Sequence, residues 1–283
     1  MSVLGIVSNC WRTQLEAGVS LAELIAEAVR RGYRAVELRQ TCLGDCETGD
    51  DHLPLAEALS ELPDMYPGIR FNLAINVPCL QPGFSADDRV FTAGKWAAQA
   101  VAGDCPPHLR LVDLQTTAAQ LSAAGPVDTG RAIAKLARVV VELDGVLSLE
   151  HARQPWHGFR AAFDAARDDL ARDADRLRLC YDPCNLLLGG DGVDPAGVTA
   201  SLCADELSMV HGKQRRGDRG LAVVTDGDID WAAQAAALTN IGYRGPILFE
   251  VEPHEDIWQN LDVSCRYLQR AGFGINRGAL ECD

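Results

Sequence analysis

The chain reads as an α/β protein built as a single (β/α)8 barrel. Short apolar runs alternate eight times with amphipathic helical stretches, the pattern of βα units around a parallel sheet. No long polar linker separates the units, and no Gly-x-Gly-x-x-Gly follows the first run; both features favour a closed barrel over an open, doubly wound sheet. The 283 residues sit close to the roughly 250 of a typical barrel, so one domain over 1–283 is expected.

Taken in order, the apolar runs predict strands at 3–8, 35–39, 69–76, 109–114, 146–150, 177–182, 207–211 and 247–250. Helical periodicity predicts helices at 20–31, 54–62, 86–102, 128–143, 158–172, 194–203, 228–239 and 257–271. "SLAE" opens the first helix with a capping serine, and "DIDW" opens the seventh with a capping aspartate. "RRGY", "NIGY" and "RAGF" end helices on a glycine suited to the left-handed C′ position. "EAVRRGYRAVEL" and "AALTNIGYRGPILFE" repeat one order of helix, glycine, aromatic, basic residue and strand, near both ends of the chain. "VAGDCPP" and "AAGPVDTG" read as ordinary loops.

Forty acidic side chains against 26 Lys and Arg give a formal charge of −14. Such a field repels phosphate backbones and anionic lipid, so neither nucleic acid nor membrane is an expected partner. The ten cysteines are scattered without a CxxC pair, as in reduced thiols of a cytoplasmic protein. The opening residues lack a basic region and a signal-length apolar run, and no later run approaches 18 apolar residues.

Chemistry concentrates where strands end. "LRLCYDPCN" carries an apolar strand straight into Asp182, a charge that needs a partner if it is buried. Glu150 in "LSLEH", His211 in "SMVHGKQ" and Glu250 in "ILFEVEP" repeat the arrangement, each about 30 to 40 residues from the next, one βα unit apart. In a parallel barrel such positions converge on the C-terminal face, where active sites of this architecture lie. Any one of them alone reads as a solvated loop residue or a helix cap. Three carboxylates and an imidazole together need a cation to stay charged. Oxygen-rich ligation with one nitrogen suits Mn²⁺ best, with Mg²⁺, Co²⁺ or Zn²⁺ as alternatives.

The motifs "VELR", "LSLEH", "YDPCN", "MVHGKQ", "GDIDW" and "ILFEVEP" resemble, in that order, those of the xylose isomerase-like barrels. That group holds sugar isomerases, ketose epimerases, inosose dehydratases and apurinic endonucleases. The resemblance spans nearly the whole chain and is strongest from Glu150 onward. It implies that Glu150, Asp182, His211 and Glu250 bind the metal. It also implies that Glu150 and Glu250 flank the substrate as an acid/base pair, one protonated while the other is not, moving a proton next to a carbonyl through a metal-stabilised enediolate. A sugar or keto-polyol isomerase or epimerase is the expected activity, in a protein that is often a homo-oligomer among its relatives.

Two departures keep a dehydratase or lyase of a keto-sugar or keto-inositol as the alternative. Asn185 stands where many members have histidine three residues after the ligand aspartate, and "HGKQRRGD" replaces the Gly-Glu-Asn-Arg pattern of typical ketose epimerases. An apurinic endonuclease is disfavoured by only six histidines and the negative charge; a non-catalytic barrel is the remaining reading.

Asn185 and Lys213 are candidate substrate contacts, the lysine sharing the inward set with His211. Glu37 either orients substrate or pairs with an arginine such as Arg39. Trp11 either stacks on a sugar face or caps the core. Asn76 ends the third strand, and Arg215, Arg216 and Arg219 suggest an anionic substrate group or merely decorate a loop. In the dehydratase-like members that the chain resembles a nearby histidine acts as base, a role open to His151 or His254, although strand alternation aims both away from the pocket; Cys184, without a base of its own, is incidental.

Overall fold

A computed structural model describes residues 2–276. Eight parallel strands form the barrel: β1 (Ser2–Val7), β2 (Ala35–Arg39), β3 (Arg70–Asn76), β4 (His108–Val112), β5 (Val146–Glu150), β6 (Leu177–Tyr181), β7 (Leu207–Gly212) and β8 (Ile247–Phe249). Each pairs with the next, and β8 returns to β1 with Leu4 opposite Ile247 and Ile6 opposite Phe249. Closure leaves the barrel without an open edge. Residues Ile275–Asn276 add a short parallel pairing at the start of β1.

The outer layer holds α1 (Leu21–Arg30), α2 (Arg89–Ala100), α3 (Ala118–Val141), α4 (Trp156–Leu170), α5 (Pro195–Ser201), α6 (Trp231–Asn240) and α7 (Ile257–Arg270). α1 shows why such segments fold as they do. Ser20 and Glu23 form a reciprocal capping box, and Leu21, Leu24, Ile25 and Ala28 bury one face at helical spacing. Gly32 then takes φ 85°, which only glycine adopts freely, and the chain turns into β2.

Two stretches differ from expectation. The helix expected at 54–62 is two single turns, Ala56–Leu59 and Leu62–Met65, the second starting around Pro63. The "AAGPVDTG" stretch is no free loop. Thr117 and Gln120 cap a helix that begins at Ala118, Gly125 breaks it at φ 75° and ψ 160°, and Pro126 restarts it.

Strand alternation separates two interiors. Leu4, Ile6, Val36, Leu38, Leu109 and Leu111 belong to the large core beneath the helices. The other set faces the barrel axis, where Val7, Ala35, Cys180, Met209 and Leu248 pack together. On that same inward set lie Glu37, Asn72, Arg110, Glu150 and His211, all buried. Cys10, Cys42, Cys46, Cys79, Cys105, Cys180, Cys184 and Cys203 are free thiols, and Cys282 lies outside the described residues. No helix among the described residues is long and apolar enough to cross a membrane.

Candidate metal centre

Glu150 closes β5, Asp182 follows β6, His211 lies on β7 and Glu250 follows β8. One ligand atom from each lies within 4.8 Å of the others, and all four residues are buried. Nδ1 of His211 is 3.2 Å from Oε2 of Glu250 and 3.6 Å from Oε1 of Glu150. Nζ of Lys213 is 3.2 Å from Oε2 of Glu250 and 3.5 Å from Oδ2 of Asp182. The inward alternation of four consecutive strands builds this cluster, since each strand contributes one side chain at the same height.

Each carboxylate is also tied to the chain. Oδ1 of Asp182 accepts from the Cys184 backbone N–H at 2.8 Å, capping the turn Pro183–Leu186. Oε1 of Glu250 accepts from Nδ2 of Asn9 at 2.9 Å. Nη1 of Arg110 lies 2.7 Å from Oε2 of Glu150, whose Oε1 accepts from Nδ2 of Asn185 at 2.9 Å. Asn185 also donates to the His151 carbonyl. It therefore orients a cluster member, a connection the sequence spacing did not show.

A second charged layer lies just below. Arg110, wholly buried on β4, pairs with Glu37, and Nδ2 of Asn72 donates to the other Glu37 oxygen at 2.7 Å. Nε2 of His211 faces this layer, 3.5 Å from Glu37 and 3.3 Å from Sγ of Cys180. Nδ1 of His211 has no hydrogen-bond partner. With Nε2 turned to Glu37 and Cys180, Nδ1 is the ring nitrogen aimed at the cluster, and it is the atom a metal-binding histidine would offer once an ion displaces its proton. Three carboxylates, one orphaned imidazole nitrogen and full burial fit a hard or borderline divalent ion.

Electrostatics split the acids. Burial alone would raise every one. Glu37 is nevertheless held far below the usual carboxylate range by Arg110 and His211, and Glu150 is lowered by the same two residues. Glu250 is held well below its ordinary value by Lys213 and His211, with a smaller contribution from Arg39. Asp182 goes the other way: burial raises it, and the neighbouring Glu250 and Glu150 add to the rise against Lys213. Burial would lower His211, but Cys180, Glu37 and Glu150 raise it well above its usual value. Both Glu150 and Glu250 are thus pulled downward, each by a cationic neighbour of its own, Arg110 for the first and Lys213 for the second.

The other expected residues are placed unevenly. Lys213 and Asn185 meet the cluster. Glu37 lies beneath it, with no exposed surface and with Arg110, not Arg39, as its partner. Trp11 is fully buried, its ring 5.9 Å from that of Trp258, and it caps the core. His151 turns away as alternation required, its Nε2 2.5 Å from the Gln154 carbonyl and its ring against Trp156 and Phe159. His254 is exposed and bonds the Asp256 N–H. Arg215 and Arg216 pair with Arg219 and Gly220 in a short hairpin, where Arg215 and Arg216 donate to carbonyls of their own loop. Arg110 and Asn9 were not anticipated. The arginine interrupting "HLRLV" at an inward position was the available signal.

A cavity of about 470 Å³ opens at the far, N-terminal end of the barrel, lined by Arg70, His108 and Arg178 among others, away from the carboxylates. A pocket of about 270 Å³ opens on the C-terminal side, at the ends of β2 and β3.

Comparison with known proteins agrees with this architecture. Residues 123–268 match the family described as the xylose isomerase-like TIM barrel. No curated protein matches the chain in sequence. Among solved structures, the IolI protein with a bound zinc atom is similar at TM-score 0.63 and 15% identity, over 95% of this chain and 96% of that one. A D-tagatose 3-epimerase-like protein is similar at TM-score 0.62 and 17% identity, over 95% and 98%. The probable 3-DHS dehydratase AsbF of Bacillus anthracis, involved in petrobactin synthesis, is similar at TM-score 0.67 and 13% identity, over 94% and 97%. At such identities the likeness shows the fold alone. On the family match and the closed barrel together, this chain belongs to the xylose isomerase-like TIM barrel family.

Proposed function

We propose that the protein is a divalent-metal-dependent isomerase or epimerase of a sugar or keto-polyol, acting by proton transfer next to a carbonyl. The observation that carries this reading is the meeting of Glu150, Asp182, His211 and Glu250, with ligand atoms within 4.8 Å of one another at the barrel's C-terminal end. These four residues would hold the ion, Mn²⁺ by preference and Mg²⁺, Co²⁺ or Zn²⁺ otherwise. When bound it supplies Lewis acidity, polarising a carbonyl and its neighbouring hydroxyl so that the hydrogen between them becomes acidic.

The chain's own groups handle the proton. Glu150 and Glu250, both held ionised by their surroundings, are each able to accept it, and each passes it back once loaded. Asn185 and Arg110 fix the first and Asn9 the second, so neither base spends substrate-binding energy on being ordered. Lys213 places an ammonium beside Glu250 and Asp182, where it can steady negative charge on a substrate oxygen.

A dehydratase would use the same centre and expel a β-hydroxyl. The placement of His151 favours isomerisation, since the ring beside Glu150 is turned away from the cluster, with Nε2 on the Gln154 carbonyl and the ring face against Trp156 and Phe159. The test is incubation with Mn²⁺ and a keto-inositol or 3-keto-sugar in D₂O, followed by NMR. Deuterium incorporation without loss of water is expected. An unsaturated product would establish elimination instead, and neither outcome, in protein that also fails to take up Mn²⁺, would overturn the metal-dependent reading.

A further inference from the structure

Resting on that reading, we infer that the substrate carries an anionic group, a carboxylate or phosphate ester, and that Arg39 anchors it. Arg39 ends β2 on the same inward set as Ala35 and Glu37, so it projects into the C-terminal mouth one step above the buried charged layer. It lines the 270 Å³ pocket with Arg12, Gln40, Thr41 and Asn76.

Three observations point to a ligand there. First, the Arg39 guanidinium makes no hydrogen bond and no ion pair among the described residues, although Arg39 is half-buried. In a chain of net charge −14, with acids elsewhere taking arginine partners, a sheltered guanidinium with no hydrogen bond or ion pair of its own is a binding group open to an anion. Second, Thr41 holds φ 75°, a left-handed backbone that a β-branched residue rarely adopts. Its N–H is fastened to Oε2 of Glu47 at 2.8 Å, and strain maintained in this way gathers where ligands are held. Third, the pocket belongs to β2 and β3, whereas the carboxylate cluster belongs to β5 to β8. A substrate with its carbonyl end at the cluster and its charged end at Arg39 therefore spans the mouth.

Two matched pairs of probes test this in Mn²⁺-loaded protein by calorimetric titration: gluconate against gluconamide, and sorbitol 6-phosphate against sorbitol. At least one anionic member is expected to bind about tenfold or more tightly than its neutral partner, the value of a charge-assisted contact; the pair that shows it identifies the anion. Arg39→Gln should bring that ratio to about twofold or less, and Arg39→Lys should keep part of it, since charge survives but the planar fork does not. Both variants should retain the native rise in melting temperature with Mn²⁺. Equal binding of charged and neutral probes, or a preference that survives Arg39→Gln, overturns the inference. A native protein that ignores Mn²⁺ would instead sink the metal reading, and the same ratios measured without metal would still decide the role of Arg39.

Discussion

Nη1 of Arg110 lies 2.7 Å from Oε2 of Glu150, and the same guanidinium pairs with Glu37. One buried cation therefore serves two carboxylates, one inside the cluster and one below it. Arg110→Met should strand both charges and lower stability by about 3–5 kcal/mol, read from urea unfolding of the metal-free protein. Adding Glu37→Gln should restore part of the loss through the coupling of the pair. A single variant as stable as the native chain would show that the pair does not hold the barrel together.

Asp182→Asn separates the two tasks of this side chain. The amide oxygen can still cap the Pro183–Leu186 turn as Oδ1 does now, so the fold should stand. The negative charge facing the cluster is lost. Native protein should gain about 2.7 kcal/mol of stability at a Mn²⁺ concentration 100 times the Kd, and Asp182→Asn should gain little under the same conditions. Thermal melts with and without Mn²⁺ check this.

Asn185 grips Oε1 of Glu150 and the His151 carbonyl. Its loss in Asn185→Ala should weaken Mn²⁺ binding by about 10- to 100-fold, as removal of a group orienting a metal-binding side chain does. A variant with native Mn²⁺ affinity and an altered KM alone would assign Asn185 to the substrate instead.

His108, at the opposite end of β4, gives the pH dependence. Burial lowers its pKa to about 4, while the unfolded chain titrates near the usual 6.5. The unfolded state thus binds the extra proton between those values. Stability from this residue is complete above about pH 6.5, falls as pH drops towards 4, and changes no further below. The ring is part-buried, so the loss is set at about 1–2 kcal/mol, well under the full shift. Comparing urea midpoints at pH 7.5 and 4.5 should show a smaller drop in His108→Gln than in native protein.

How much of this was legible depended on whether a residue's meaning was local. The strands appeared within two residues of their expected bounds because apolar runs between turn residues are a local signal. Glu150, Asp182, His211 and Glu250 could be grouped because strand ends of a barrel share one face whatever their spacing. Arg110 could not be paired with Glu37, since that contact joins residues 73 positions apart and skips the strand between them. Nearness in sequence suggested Arg39 for Glu37; yet both sit on one strand's inward set, stacked along the axis, and the partner comes from across it. The helix before 128 was hidden by Gly125 and Pro126, which normally mark a loop and here mark a kink.

Each carboxylate of the cluster is fastened to the chain, Glu150 by Arg110 and Asn185, Asp182 by the Cys184 amide and Glu250 by Asn9. Their rotamers are consequently set before any ion arrives, and the opening between them cannot shrink or widen freely to suit a guest. If the cluster holds a dication as proposed, discrimination among such ions would rest on ionic radius measured against a rigid gauge, with the gauge cut by helix capping and by an arginine outside the four proposed ligands.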